Sequence, residues 1–361
     1  MSDVVESTTS RPEVDAVRPG EELDLAAVGA FLSAELGIDG PLSALQFPKG
    51  SANLTYLLQA GDQTLVLRRP PFGRVAPGAH DMGREYKALS RLWRAYPPAP
   101  RALAFCDDES VLGARFFVME YRPGVVIWDV LPESMAGLPD CGRRVGLAVV
   151  DALADLHQVD PCACDLGNLG RPDGFVARQV EGWRARWDMV RPPGGLPAME
   201  EAGNLLDRTR PAPQRVSILH NDLKVDNCQF DPADPDRVRS VFDWDMATLG
   251  DPLVDFGILL NYWPDPSDRP GDRGVYVDGM ATIGLPTKAE ITAHYARRTG
   301  LDVSGATWYE AFACWKGVVV LQQLYDRYLR GETTDPRMAT RGERVAELAN
   351  RSLRLVRRVA A

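Results

Sequence analysis

Between Ser217 and Gly257 the chain reads SILHNDLKVDNCQFDPADPDRVRSVFDWDMATLGDPLVDFG, and no other stretch restricts the fold as much. Apolar Ile218 and Leu219 run into His220, Asn221 and Asp222. Asn227 follows five positions after Asp222, and Val241 and Phe242 deliver Asp243 from what reads as a second short strand. An H-x-D-x4-N loop followed sixteen residues later by a strand-borne Asp gathers more acid and amide groups than a plain core segment needs. Phosphoryl transfer requires these types: a carboxylate to orient and deprotonate an attacking hydroxyl, and an amide plus a second carboxylate to hold magnesium on nucleotide phosphates. Asp222 is therefore the expected base, and Asn227 and Asp243 are the expected metal ligands.

The neighbours have plainer readings. His220 packs and hydrogen-bonds to shape the loop, because Asp222 is the better placed base. Asp226 reads as a solvated loop charge, and a solvated charge is one reading of Lys224. Asp251 before Pro252 reads as a helix N-cap. Asp255, four residues on, is expected to brace the loop by accepting backbone N–H bonds.

A chain of 361 residues suits two lobes sharing a cleft, and 45% hydrophobic with 25% charged residues is ordinary for a protein with a sizeable core. The net charge of −9, with Arg and Lys scattered, argues against nucleic-acid and anionic membrane partners. It favours a cationic or neutral substrate unless a local basic pocket intervenes. No apolar run approaches eighteen residues, and the N-terminal MSDVVESTTSRPEVD is acidic where a signal peptide is basic and then apolar. The expected location is cytoplasmic. The six Cys show no zinc-binding spacing and read as reduced thiols.

Residues 1–20, rich in Ser, Thr, Pro and acids, are expected to form a disordered tail. Leu25, Val28, Phe31, Leu32 and Leu36 fall at helical spacing, and Gly37 stops that helix. Segments 42–47, 53–60 and 63–68 read as an antiparallel meander. Its first connection, Lys49-Gly50-Ser51-Ala52-Asn53, reads either as a plain hairpin turn or as a phosphate-covering loop in which Ser51 contacts the nucleotide. The third strand ends in Arg68, whose guanidinium suits a bidentate phosphate contact. An amphipathic helix from Asp81 to Trp93 places Glu85 to clamp Arg68; the alternative is a solvated helical carboxylate. Two further strands, 101–106 and 115–121, lead to Arg122-Pro123-Gly124, read as a hinge where backbone groups of Glu120, Tyr121 and Arg122 meet an adenine edge. Helical periodicity then covers 141–158, 172–190, 198–208, 252–262, 287–299, 307–330 and 338–358. The expected lobes are 21–122 and 123–361.

Taken together, several motifs carry a likeness: Leu67-Arg68-Arg69-Pro70-Pro71-Phe72-Gly73, Arg84-Glu85-Tyr86, Phe117 to Tyr121, Leu156-His157, Gly170 to Phe175, His220-Asn221-Asp222, and Asp243-Trp244-Asp245 through Pro252. From about residue 23 onward the chain resembles the aminoglycoside-phosphotransferase-like kinases, in the branch associated with acyl-CoA dehydrogenases. The resemblance implies an α+β, bilobal, protein-kinase-like fold, with a small antiparallel-sheet N-lobe, a larger helical C-lobe, and ATP and Mg2+ between them. The branch usually has Gly at the position of Asn221 and Glu at that of Asp245. The expected activity is ATP- and magnesium-dependent phosphorylation of a small-molecule hydroxyl, with a hydroxyacyl-CoA as the acceptor the branch implies. Phosphorylation of an aminoglycoside or other antibiotic, and a nucleotide-binding pseudokinase, are the alternatives. Asn261, Tyr262, Trp263, Trp308 and Lys316 are expected to line the acceptor side, with Arg297, Arg298, Lys316 and Arg327 supplying a cationic grip.

Overall fold

The computed structural model describes residues 13–48, 53–72, 81–268, 273–332 and 336–360. In chain order the elements are α1 (Leu25–Leu36), β1 (Leu42–Gln46), β2 (Leu54–Ala60), β3 (Gln63–Arg69), α2 (Met82–Leu92), β4 (Ala102–Cys106), β5 (Phe116–Glu120), β6 (Val125–Val126), α3 (Glu133–Ala136), α4 (Cys141–Gln158), α5 (Phe175–Val190) and α6 (Pro197–Arg208). They continue with β7 (Ser217–Leu219), β8 (Cys228–Asp231), β9 (Asp234–Val241), β10 (Thr248–Gly250), α7 (Pro252–Asn261), α8 (Lys288–Thr299), α9 (Ala306–Leu329), α10 (Pro336–Ala339) and α11 (Val345–Ala360). By packing, the chain separates into two compact units. The first comprises Met1–Val126, Pro161–Leu169 and Asn227–Ala247, and the second the remainder.

The first unit is built on an antiparallel sheet in the order β1-β2-β3-β5-β4. Successive strand residues point to opposite faces, and here both faces are covered. Leu65 and Leu67 of β3 and Phe116 and Val118 of β5 join Val28 and Leu32 of α1 in one core. Phe117 and Phe105 belong to the other set and meet Tyr86 of α2, with ring centroids 6.4 and 5.2 Å away. Arg68 shares that second face. Asp24 caps α1 by accepting from Ala27 N, and Gly37 closes it in the left-handed conformation. Of the expected N-terminal tail, residues 1–12 lie outside those described, while Asp15 exchanges both backbone bonds with Gln46 at 2.9 Å. A small sheet β6-β8-β9 completes the unit.

The second unit is helical apart from the antiparallel pair β7–β10. α7 is buried along its whole length. It comes so close to α9 that a Cβ on Gly257 would lie 2.5 Å from the Tyr309 backbone, which explains a glycine in the middle of a helix. Trp308 and Trp315 of α9 are buried, with indole N–H groups on Leu206 O and Met199 O. No described helix is long and apolar enough to cross a membrane.

Most expected helices appear within a few residues of their reading. The stretch 338–358 does not form one helix. A 3-10 segment, Thr340–Arg344, separates α10 from α11, and Gly342 lies where a Cβ would meet the Tyr325 ring at 2.7 Å. The strand before Asp243 is also longer than expected: β9 starts at Asp234 and is carried by its pairing with β8. Asp243 is not on it, but two residues beyond its end.

Candidate active site

In the first unit, Arg68 reaches the end of β3 on the face covered by α2, and the inward stripe of that helix is Met82, Glu85, Ala88, Leu89 and Leu92. Glu85 therefore enters the core directly opposite Arg68. Arg68 Nε lies 3.3 Å from Glu85 Oε1, and Arg68 Nη2 donates to Asp243 Oδ1 at 2.9 Å. The expected clamp is formed, and the same guanidinium also holds Asp243. Burial works against the Arg68 charge, but Glu85 and then Asp243 outweigh it and raise its pKa.

Glu85 is pushed up to about 7 by burial, against the pull of Arg68, and the charges of Asp243 and Asp245 add to the rise. Its Oε1 accepts from Trp244 N at 3.3 Å, while its Oε2 and Arg68 Nε have no hydrogen-bond partner among the described residues; the pair is close but poorly aligned. A carboxyl with a raised folded-state pKa binds more protons folded than unfolded, so its contribution to stability is full below the unfolded value and lost as pH rises through the folded one. Stability is expected to fall between about pH 4.5 and about 7 on this account, and Glu85→Gln to flatten that slope in denaturation midpoints measured across the range.

Asn227 and Asp243 are brought together by the same strand pairing. Cys228 is paired with Val241, and Phe242 N donates to Asn227 O at 2.9 Å, so the amide and the carboxylate leave adjacent chain ends. Asp243 has φ 68, a left-handed conformation that turns its side chain out of the strand alternation. An amide and a carboxylate are the donor types that suit magnesium, which takes few protein ligands and completes its shell with water and phosphate. Among the described residues no group of three or more His, Cys, Asp or Glu is arranged to hold a metal ion.

Of the residues read as nucleotide contacts, Ser51 lies outside the described residues. Glu120 and Arg122 fasten the strand end through their side chains: Glu120 Oε1 accepts from Arg101 N at 2.9 Å and Arg122 Nε at 2.7 Å, and Arg122 also donates to Ala99 O and Arg239 O. Tyr121 is half-buried, and burial raises its hydroxyl pKa.

In the second unit the His220–Asp222 loop is held from α7. Asp251 caps that helix by accepting from Leu253 N at 3.0 Å. One turn on, Asp255 accepts from His220 N through Oδ2 and from Asn221 N through Oδ1, both at 2.6 Å, and His157 Nε2 lies 3.3 Å from Oδ2. The expected brace is therefore present. His220, fully buried, accepts from Asp222 N through Nδ1 at 3.2 Å, a loop-shaping role.

Asn221 has φ 66, a left-handed backbone that Asn accepts better than most non-glycine residues. Asn221→Gly is expected to leave the denaturation midpoint nearly unchanged, whereas Asn221→Val costs about 1–2 kcal/mol.

Asp222 has Lys224 of its own loop beside it, and Tyr262 and Lys316, both expected at the acceptor side, reach it or its loop. Tyr262 donates its hydroxyl to Asp222 Oδ1 at 2.8 Å. Lys224 Nζ stands 3.9 Å from Asp222 Oδ2 and 3.2 Å from Asp226 Oδ2. Lys224 and Asp226 are thus a half-buried ion pair, not solvated charges; burial opposes the lysine charge, and Asp222 and Asp226 override it. Lys316 Nζ donates to Asn221 O at 3.3 Å, over the Trp183 ring, and burial lowers its pKa against the pull of Asp222. Other residues expected at the acceptor side are elsewhere. Asn261, Trp263 and Trp308 are core. Arg298 is paired with Asp151 and Asp155, Arg297 contacts His294, and Arg327 faces Glu332.

The sequence matches the phosphotransferase enzyme family over residues 43–285. The chain belongs to that family. This phosphotransferase-family chain is 32% identical to mouse acyl-CoA dehydrogenase family member 10 over 345 residues, which is 94% of its own length and 32% of the mouse protein. It spans less than half the length of the curated relatives it matches. Among solved structures, a Ralstonia eutropha protein classed with the aminoglycoside phosphotransferases shares 30% identity and a TM-score of 0.77, covering 93% of this chain and 99% of that one. A thermostable mutant of aminoglycoside phosphotransferase APH(4)-Ia, in complex with ADP and hygromycin B, shares the fold at 17% identity, with a TM-score of 0.57 over 92% and 98% of the two chains. The α+β, kinase-like fold class read from the sequence is that of this family.

Proposed function

We propose that the protein is an ATP- and magnesium-dependent phosphotransferase that moves the terminal phosphoryl group of ATP to a hydroxyl of a small molecule, with a hydroxyacyl-CoA as acceptor. The observation that carries this reading is the setting of Asp222: a loop fastened through two backbone amides to the buried Asp255, presenting a carboxylate among Tyr262, Lys224 and Lys316. Asp222 orients the acceptor hydroxyl and takes its proton as the oxygen attacks the phosphorus and ADP departs. Arg68, held by Glu85, contacts the phosphates. Ser51 adds a backbone or hydroxyl contact, and backbone groups of Glu120, Tyr121 and Arg122 meet the adenine. Asn227 and Asp243 hold magnesium, which when bound neutralises charge developing on the phosphate oxygens.

Two observations support an anionic acceptor over an aminoglycoside, whose ammonium groups need a ring of acids. Lys224 and Lys316 stand beside Asp222 and its loop, and Arg186 stacks over the same Trp183 ring as Lys316, its guanidinium 4.4 Å from the ring centre. The similar curated proteins also carry acyl-CoA dehydrogenase names, which points to a CoA thioester as the molecule in common. An ADP-release assay over a panel of hydroxyacyl-CoAs and a panel of aminoglycosides tests the choice. Turnover is expected with the first; robust turnover of aminoglycosides with none of any hydroxyacyl-CoA overturns it.

A further inference from the structure

Helix α7 offers the His220–Asp222 loop two polar side chains, and the brace described above uses only one. Asp255 takes the amide hydrogens of His220 and Asn221; Tyr262, seven residues later, takes the other end of the loop by donating to Asp222 Oδ1 at 2.8 Å. Seven residues are close to two full helical turns, so the two side chains leave the same face about 10 Å apart along the axis. One helix face thus fixes the backbone that carries Asp222 and the carboxylate itself.

Tyr262 is well anchored for this task. It caps α7 in helical conformation, its N–H donating to Ile258 O and Leu259 O at 3.1 Å. The next residue, Trp263, is fully buried with its indole N–H on Pro286 O at 2.7 Å. Lys224 Nζ stands 5.2 Å from the centre of the phenol ring and also faces Asp222 and Asp226. Burial, and then the Asp222 charge, raise the phenol pKa, which keeps it a hydrogen-bond donor.

The last torsion of an aspartate side chain is broad and roughly two-fold, so a carboxylate base keeps a heading only if a donor fixes it. We infer that Tyr262 is a positioning residue that holds the Asp222 carboxylate for proton abstraction from the acceptor, an inference that rests on the phosphotransferase reading of Asp222. It does not touch the reacting atoms; it sets the direction of the group that does.

Tyr262→Phe keeps the ring and its contact with Lys224 and deletes only the hydroxyl. In the full chain, with ATP, magnesium and a medium-chain hydroxyacyl-CoA, kcat is expected to fall roughly ten- to hundred-fold while both KM values stay within about two-fold. A second readout is independent of turnover: melting temperatures of wild type, Tyr262→Phe, Asp222→Ala and the double variant, in which the two losses are expected to be non-additive. An unchanged kcat, with or without that coupling, overturns the inference, as does an effect confined to the acceptor KM, which marks an acceptor contact instead. If wild type phosphorylates no alcohol, the phosphotransferase reading fails and the inference with it. If wild type is active and Tyr262→Phe equals it, only the inference fails.

Discussion

Asp222→Ala is expected to lower phosphoryl-transfer turnover by about 10²–10⁴ while leaving ATP affinity within a few-fold of wild type. The size follows from the role: a positioned base contributes that much when the hydroxyl it deprotonates attacks in the transition state, and little to nucleotide binding. The asymmetry separates Asp222 from Asp243. Asp243 is held by Arg68 at 2.9 Å and stands beside Asn227 through the strand pairing, so Asp243→Ala is expected to weaken magnesium-dependent nucleotide binding as well as turnover. Steady-state kinetics paired with calorimetric titration of ATP, with and without magnesium, read both effects. Equal loss of ATP binding in the two variants contradicts the assignment of roles.

The second large effect is on the fold. Asp255 is almost fully buried and accepts two backbone amides at 2.6 Å each, with His157 Nε2 at 3.3 Å. Alanine there leaves His220 N and Asn221 N without their acceptor in a dry interior, and each buried orphan donor costs about 1–3 kcal/mol. The total expected loss is about 3–5 kcal/mol, in the range seen when one partner of a buried charged cluster is removed. Asp255→Asn is expected to recover little, because its NH2 group faces one of the two amide donors it must accept from. Chemical denaturation of both variants measures this, and activity should fall in step because the loop loses its seat. A loss within about 1 kcal/mol for Asp255→Ala contradicts the brace.

What was legible in the sequence followed from periodicity and capping. Asp251, read as an N-cap because it precedes Pro252, does cap α7 by accepting from Leu253 N. Glu85 falls inside the buried stripe of α2, which is why a carboxylate partner for Arg68 was readable before any contact was known. Asp255, one turn after a capped helix start, was readable as a brace for the same reason.

The misses also have physical causes. Asp234-Pro235-Asp236-Arg237 carries loop residues, yet it is strand, because β8 supplies the pairing. Arg298, Arg297 and Arg327 have the chemistry of an anion grip but lie on helix surfaces, and residue type alone does not tell a surface ion pair from a pocket. Lys224 is drawn inward by two aspartates of its own loop. Tyr262 was expected on the acceptor side, but its tie to Asp222 was not read from its i+7 spacing to Asp255, which shares a helix face.

We propose that this chain transfers phosphate to an alcohol through Asp222. The most direct test is mass-spectrometric detection of phosphorylated product after incubation with ATP, magnesium and a hydroxyacyl-CoA panel, comparing wild type with Asp222→Ala. An acceptor gaining one phosphoryl group is expected with wild type, and at most about one-hundredth as much with the variant. Equal product from both proteins, or bound ATP with no phosphorylated alcohol from wild type, contradicts the proposal.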